Sequence, residues 1–156
     1  MIDTLQIAKN DLRQGWETPN GATCACCQQK VKLYKRSLYA APLTALIKLY
    51  RLNKKAPRHY HMTEIGTPKS GGGDFSKLIY WGFIEAQEGN DNPDTRTSGF
   101  WSITPLGRSF VRNEVAVPKS KFIYNNRVYG DSDEMVKISE VRSRGFNYQE
   151  LIGKLL

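Results

Sequence analysis

The chain has 156 residues, 40% of them hydrophobic and 24% charged, with a formal net charge of +8. That length suits one domain, or one core with appendages, and the composition is that of a soluble protein with enough aromatics to fold unaided. The longest apolar stretch, 38–50, is interrupted by Thr44 and Lys48, which argues against a bilayer span, and Asp3 and Asp11 argue against a secretory leader.

In chain order, residues 1–16 predict a short amphipathic helix with Leu5, Ala8 and Leu12 on one face. A Thr-Pro-Asn-Gly turn at 18–21 leads to Cys24-Ala-Cys-Cys27, and a strand is expected over 30–36, where Val31 and Leu33 alternate with charge. Residues 37–53 predict a helix with Leu43, Leu46, Ile47 and Leu49 on its apolar stripe and Lys48, Arg51 and Lys54 opposite. A short strand over 58–62, a clipped helix opening at Thr63 and a glycine-rich turn over 66–73 come next.

The stretch 74–111 organises the rest. Asp74 is expected to cap a helix whose apolar face carries Phe75, Leu78, Ile79 and Trp81, with Gly82 ending it. Residues 83–86 and 100–103 read as paired strands around a polar loop, 87–99. Thr104-Pro105 then opens a helix as cap and first residue, with Leu106, Phe110 and Val111 as its buried stripe. Helix, strand, hairpin and helix in this order make the fold class α+β, with a winged helix-turn-helix core over 37–114. The core is preceded by an N-terminal segment, 1–36, and followed by a C-terminal extension, 115–156. In that extension a hairpin turning at Asn125-Asn126 is expected, then a last helix capped by Asn147 with Glu150 three residues on. This helix docks on the core or forms a homodimer seam.

Charge is unevenly placed. Residues 18–63 hold nine basic side chains and no acid, whereas 64–156 hold twelve of each. Such a block suits a polyanion, because neutralised phosphates release counterions; a solvated basic face is the competing reading. Lys30, Lys32, Lys35, Arg36, Lys54, Lys55 and Arg58 are its candidate nucleic-acid contacts. In the usual helix-turn-helix docking, Lys69, Ser70, Ser76 and Lys77 would reach phosphates and base edges, and Arg96 sits on the wing. Glu85, Glu88, Asp91 and Asp94 make that wing otherwise acidic, which phosphate repels. DNA is therefore expected over the basic segment, or else the winged helix is a protein-docking scaffold.

Three cysteines within four positions are no disulfide framework and point to a reducing compartment. Cys24 and Cys27 have zinc-knuckle spacing, and His59 and His61, two apart on a strand, share one side and could complete a Cys2His2 zinc set. Gln28 stands where a knuckle carries glycine. Reduced thiols and a redox dithiol are the alternatives to zinc. The glycine-rich turn lacks the lysine and hydroxyl order of a nucleotide loop, and no nucleophile elbow or metalloprotease pattern is present, so no enzyme is expected.

Four stretches carry a resemblance: Cys24-x-x-Cys27 with Val31-Lys-Leu-Tyr-Lys-Arg36, Lys77-Leu-x-x-Trp-Gly-Phe-Ile84, Gly99-Phe-Trp-x-Ile-Thr-Pro-Leu-Gly107 and Tyr124-Asn-x-Arg-Val128. In these the chain resembles small proteins of tailed bacteriophages and prophages with a winged-helix-like core and an N-terminal CxxC. The resemblance implies a phage or prophage context and a place in the host cytoplasm, and no particular activity. The resulting expectation is a non-enzymatic protein that binds nucleic acid, double-stranded DNA first, as a regulator or accessory factor. The alternative is a module engaging a host or phage protein without nucleic acid. No membrane partner is expected.

Overall fold

The fold, seen in a computed structural model, is described for residues 3–66, 72–87, 99–143 and 146–153. It is a mixed α+β protein. The helices are α1 (Thr4–Gly15), α2 (Ala40–Lys55), α3 (Met62–Ile65), α4 (Gly72–Phe75), α5 (Pro105–Val111) and α6 (Tyr148–Gly153). The strands are β1 (Ala22–Thr23), β2 (Lys30–Val31), β3 (Tyr34–Ser37), β4 (Tyr60–His61) and β5 (Ile84–Ala86), then β6 (Phe100–Ile103), β7 (Val117–Pro118), β8 (Ser120–Tyr124), β9 (Arg127–Asp131) and β10 (Met135–Val136). Among the described residues, no helix is long and apolar enough to cross a membrane. The chain forms two compact units, residues 1–36 with 120–132, and residues 37–119 with 133–156. Residues 115–156 are thus shared between the two.

In the first unit, the Asp3 carboxylate caps α1 by accepting from the Leu5 amide at 3.0 Å. The apolar face expected there covers little: no residue of α1 is buried, and Leu5 and Ile7 are exposed. β1 and β2 pair antiparallel on either side of the cysteine turn. β3, β8 and β9 form a second sheet with β8 in the middle. The strand expected over 30–36 is therefore two strands with different partners, broken between Val31 and Tyr34. Asn125 and Asn126 are both left-handed (φ 50° and 61°), which is what a two-residue hairpin turn needs to follow the strands' twist. Among the described residues, Val31 and Ile123 are the buried apolar side chains of this unit. Trp16 adds a cluster with Tyr129 and Tyr124, at ring-centroid distances of 4.7 and 5.9 Å.

The second unit has a proper core. α2 buries Leu43, Leu46, Ile47 and Leu49, each fully buried apolar side chain contributing about 1.5–3 kcal/mol before opposing terms. It starts at Ala40, three residues later than expected, and Pro42 sits in its first turn, where amide hydrogens have no helical partner anyway. A three-stranded antiparallel sheet in the order β4-β6-β5 packs against it, with Tyr60 opposite Trp101 and Ile84 opposite Ile103. Asn53 near the end of α2 ties helix to sheet: its carbonyl accepts from the Ile103 amide at 2.9 Å, and its amide donates to the Arg58 carbonyl at 2.6 Å.

Asp74 does not cap the helix expected after it. Its carboxylate accepts from the Tyr39 hydroxyl, and the helical turn starts earlier, at Gly72. From Ser76 to Trp81 the backbone is a 3-10 helix, and Gly82, with φ 74°, ends it. With three residues per turn, Phe75, Leu78 and Trp81 stack on one buried face, while Ile79 turns outward. Thr104 caps α5 with Pro105 first, its hydroxyl oxygen accepting from the Gly107 amide at 3.0 Å. Leu106, expected in the stripe, is exposed, and Gly107 is buried in its stead. A Cβ on Gly107 would lie 2.3 Å from the Phe83 carbonyl oxygen, so only glycine permits this approach. Phe83 and Phe110 stack at 4.5 Å beneath it.

β7 pairs with β10, closing the chain after α5. The Trp81 indole donates to the Pro118 carbonyl at 2.7 Å, and the Tyr148 hydroxyl to the Val111 carbonyl at 2.7 Å. Asn147 accepts from the Glu150 amide at 3.2 Å, capping α6, which docks on the core through buried Tyr148.

Candidate nucleic-acid interface

The basic block of the sequence is divided between the units. Lys30 lies on β2, Lys32 beside it, and Lys35 and Arg36 on β3, all in the first unit. Among the described residues no carboxylate pairs with any of these four. Lys54 and Lys55 form the last turn of α2 in the second unit, also without an ion-pair partner among the described residues. α2 carries four cations, Lys48, Arg51, Lys54 and Lys55, and no acid. They line a groove of about 1120 Å³ along that helix. Arg112 contributes from the end of α5, and Glu64 and Glu114 are the acids of the lining. Lys48 reaches the Gly66 carbonyl at 3.3 Å.

Arg58 serves a different end. Its guanidinium lies 3.0 Å from the Glu64 carboxylate and 3.8 Å from the centroid of the Tyr60 ring. Bonding to Glu64 raises the Arg58 pKa, and the Arg58 guanidinium, followed by the His61 amide, lowers that of Glu64. The same carboxylate accepts from the His61 amide at 2.8 Å, and His61 Nδ1 accepts from the Thr63 amide, so these side chains cap α3. Arg58 is thereby held as part of the fold. Lys77 lies half-buried on the 3-10 helix with its Nζ 5.9 Å from the Tyr80 ring, and Ser76 precedes it. Lys69, Ser70 and Arg96 fall outside the described residues, as do Glu88, Asp91 and Asp94. Glu85 is exposed on β5.

Of the four residues expected to hold zinc, Cys24 and Cys27 belong to the first unit and His59 and His61 to the second. Among the described residues, no three His, Cys, Asp or Glu side chains gather as a metal site. His59 Nε2 is buried with no hydrogen-bond partner among the described residues, and nothing in the structure explains why. The cysteine turn is closed by the Cys24 amide bonding to the Gln29 carbonyl at 2.9 Å and the Gln28 amide to the Cys24 carbonyl at 2.9 Å. Gln28 takes the left-handed conformation, φ 60°, where a knuckle usually has glycine. Backbone amides of Cys27 and then Cys26 point at the Cys24 sulfur and lower its pKa. Those amides favour the Cys24 thiolate.

Two features escaped the sequence reading. Arg112 reaches the α2 groove only through the fold, from a part of the chain where acids balance bases. The exposed rings of Tyr34 and Tyr129 sit among cations on the first unit's sheet; the signal was there, in Lys32-Leu-Tyr-Lys-Arg36 and Arg127-Val-Tyr129. Comparison with protein-family models, with curated proteins and with solved structures finds no match.

Proposed function

We propose that the chain is a non-enzymatic nucleic-acid-binding protein whose second unit is a winged helix. The succession α2, β4, α3, the 72–81 helix, β5 and β6, with β6 between β4 and β5, supports that reading of the fold. The observation that carries the function is the cationic face of α2, whose four bases, with no acid on the helix itself, line a groove shared with Glu64 and with Arg112 ion-paired to Glu114 at 3.8 Å. Duplex DNA is the partner proposed for it, because closely spaced phosphates reward a row of cations by releasing counterions. The contact runs over α2 and not the wing, where Glu85 faces solvent. A regulator or accessory factor fits this mode, in keeping with the resemblance to phage and prophage proteins.

The test is duplex binding by the full chain across a salt series. The logarithm of the binding constant is expected to fall linearly with the logarithm of salt, by roughly 0.9 per phosphate contacted. Replacing Lys48, Arg51, Lys54 and Lys55 with alanine should reduce that slope by about 3–4 and remove most of the affinity. Binding that ignores salt would overturn the reading. The exposed Leu5 and Ile7 on α1 favour a protein-docking alternative. Partner capture that survives nuclease treatment, with no duplex binding, would establish it instead.

A further inference from the structure

The sheet of the first unit has a surface that its folding does not account for. β3 is exposed at every residue, and Arg127, Val128 and Tyr129 of β9 are exposed as well. Between them lies a groove of about 700 Å³ floored by Leu33, Phe122 and Gly130. Its aromatic walls are Tyr34, 53% exposed, and Tyr129, 48% exposed. Trp16 braces the Tyr129 ring edge-on at 4.7 Å, so that ring is held in place while remaining exposed. Lys32 and Lys35 stand on the rim, the Lys32 ammonium 5.6 Å from the centroid of Tyr34. Glu17 is the acid of the lining.

Rings exposed to this extent in so small a unit forgo burial, and what they offer is a flat face. A duplex has no base face to set against them, since its bases are stacked on one another, whereas an unpaired base has two. The cations beside the rings match the phosphates that accompany each base. From this juxtaposition we propose that the β3-β8-β9 sheet is a stacking platform for single-stranded nucleic acid, with Tyr34 and Tyr129 each taking a base and Lys32 and Lys35 the phosphates between. The proposal rests on the nucleic-acid reading above and adds to it a second kind of strand, bound by a different unit.

The experiment measures anisotropy of labelled oligonucleotides about 12 nucleotides long, as single-stranded DNA, single-stranded RNA and the corresponding duplex, with the full chain. Tyr34→Ala with Tyr129→Ala should weaken single-strand binding by roughly tenfold per ring and leave duplex binding unchanged. Tyr34→Phe with Tyr129→Phe keeps both rings and should retain the affinity. A 2′-hydroxyl preference appears as a difference between the RNA and DNA arms; equal binding means that stacking and charge carry the contact. Ultraviolet cross-linking of the unaltered protein needs no substitution, and its adducts should map to residues 32–35 and 127–130. Adducts confined to other segments, or unchanged single-strand affinity in the folded double alanine variant, would overturn the proposal. Duplex binding without single-strand binding would also overturn it while sparing the α2 reading; failure to bind either would sink both.

Discussion

In the second unit Phe75, Trp81, Phe83, Trp101 and Phe110 are all buried, and Phe83 stacks on Phe110 at 4.5 Å. In the first, Tyr34 and Tyr129 stand about half exposed, and the buried apolar side chains described are Val31 and Ile123. One unit buries its aromatic rings; the other leaves Tyr34 and Tyr129 half exposed, Tyr129 against Trp16 and Tyr124. A small unit with so little interior has a modest margin of stability, so surface rings left out of its core call for a role other than packing. The cations divide in parallel, four along a helix face in one unit and a cluster among exposed rings in the other. Under the two proposals, these surfaces of unlike shape take two forms of one polymer.

The contrast can be broken most directly by removing rings. Phe110→Ala should cost about 3–5 kcal/mol in urea unfolding, since the stacked pair leaves a cavity that α5 cannot close. Tyr129→Ala should cost about 1 kcal/mol or less, its half-exposed ring contributing the edge contact with Trp16 and a looser one with Tyr124. Equal losses would mean that Tyr129 is a structural ring and the display argument wrong. Asn53→Ala, next in size, should cost roughly 1–3 kcal/mol by leaving the Ile103 amide and Arg58 carbonyl without their partner. Because that tie lies within the second unit, its loss should leave single-strand binding intact.

Smaller effects come from ionisation. Glu64 has a lowered pKa in the fold, so its bond to Arg58 stabilises above the ordinary carboxylate range and is lost as pH falls through the lowered value. The urea midpoints of the parent protein and Glu64→Gln should therefore differ near neutral pH and converge as pH falls below the ordinary carboxylate range. Both partners are about half exposed, which keeps the difference small. In the first unit, alkylation followed by peptide mapping should modify Cys24 at a pH below that of an ordinary cysteine thiol, because two backbone amides favour its thiolate. Reaction of Cys24 with the pH dependence of an ordinary thiol would show that the turn does not hold those amides on sulfur.

Much of the second unit was legible in the chain because its signals are local. Thr104-Pro105, Gly82 and the apolar residues of α2 each fix a backbone state through their own side chain or its absence. The 72–81 segment misled for a physical reason. Spacings of three at Phe75, Leu78 and Trp81 fit both an α-helix and a 3-10 helix, and Ile79 belongs to the apolar face only in the first. Asp74 looked like a cap until Tyr39, 35 residues earlier in sequence, supplied it with a partner. The candidate site was half legible: the cations stood out as a block, but their division between α2 and β3 depends on where the chain turns back. Arg58 was indistinguishable from its neighbours until Glu64 and Tyr60 closed around it.

The route of the chain has a temporal consequence. Residues 1–36 form their unit with 120–132, so the N-terminal strand β3 lacks its partner β8 until that hairpin has been made. On a translating ribosome the wait amounts to roughly 5–20 seconds, during which Tyr34 stands on a strand without its partner. The second unit can largely condense meanwhile from residues 37–119. Maturation is then a late event, completed once the hairpin emerges, and a nascent chain halted before residue 120 would carry a first segment unable to finish its sheet.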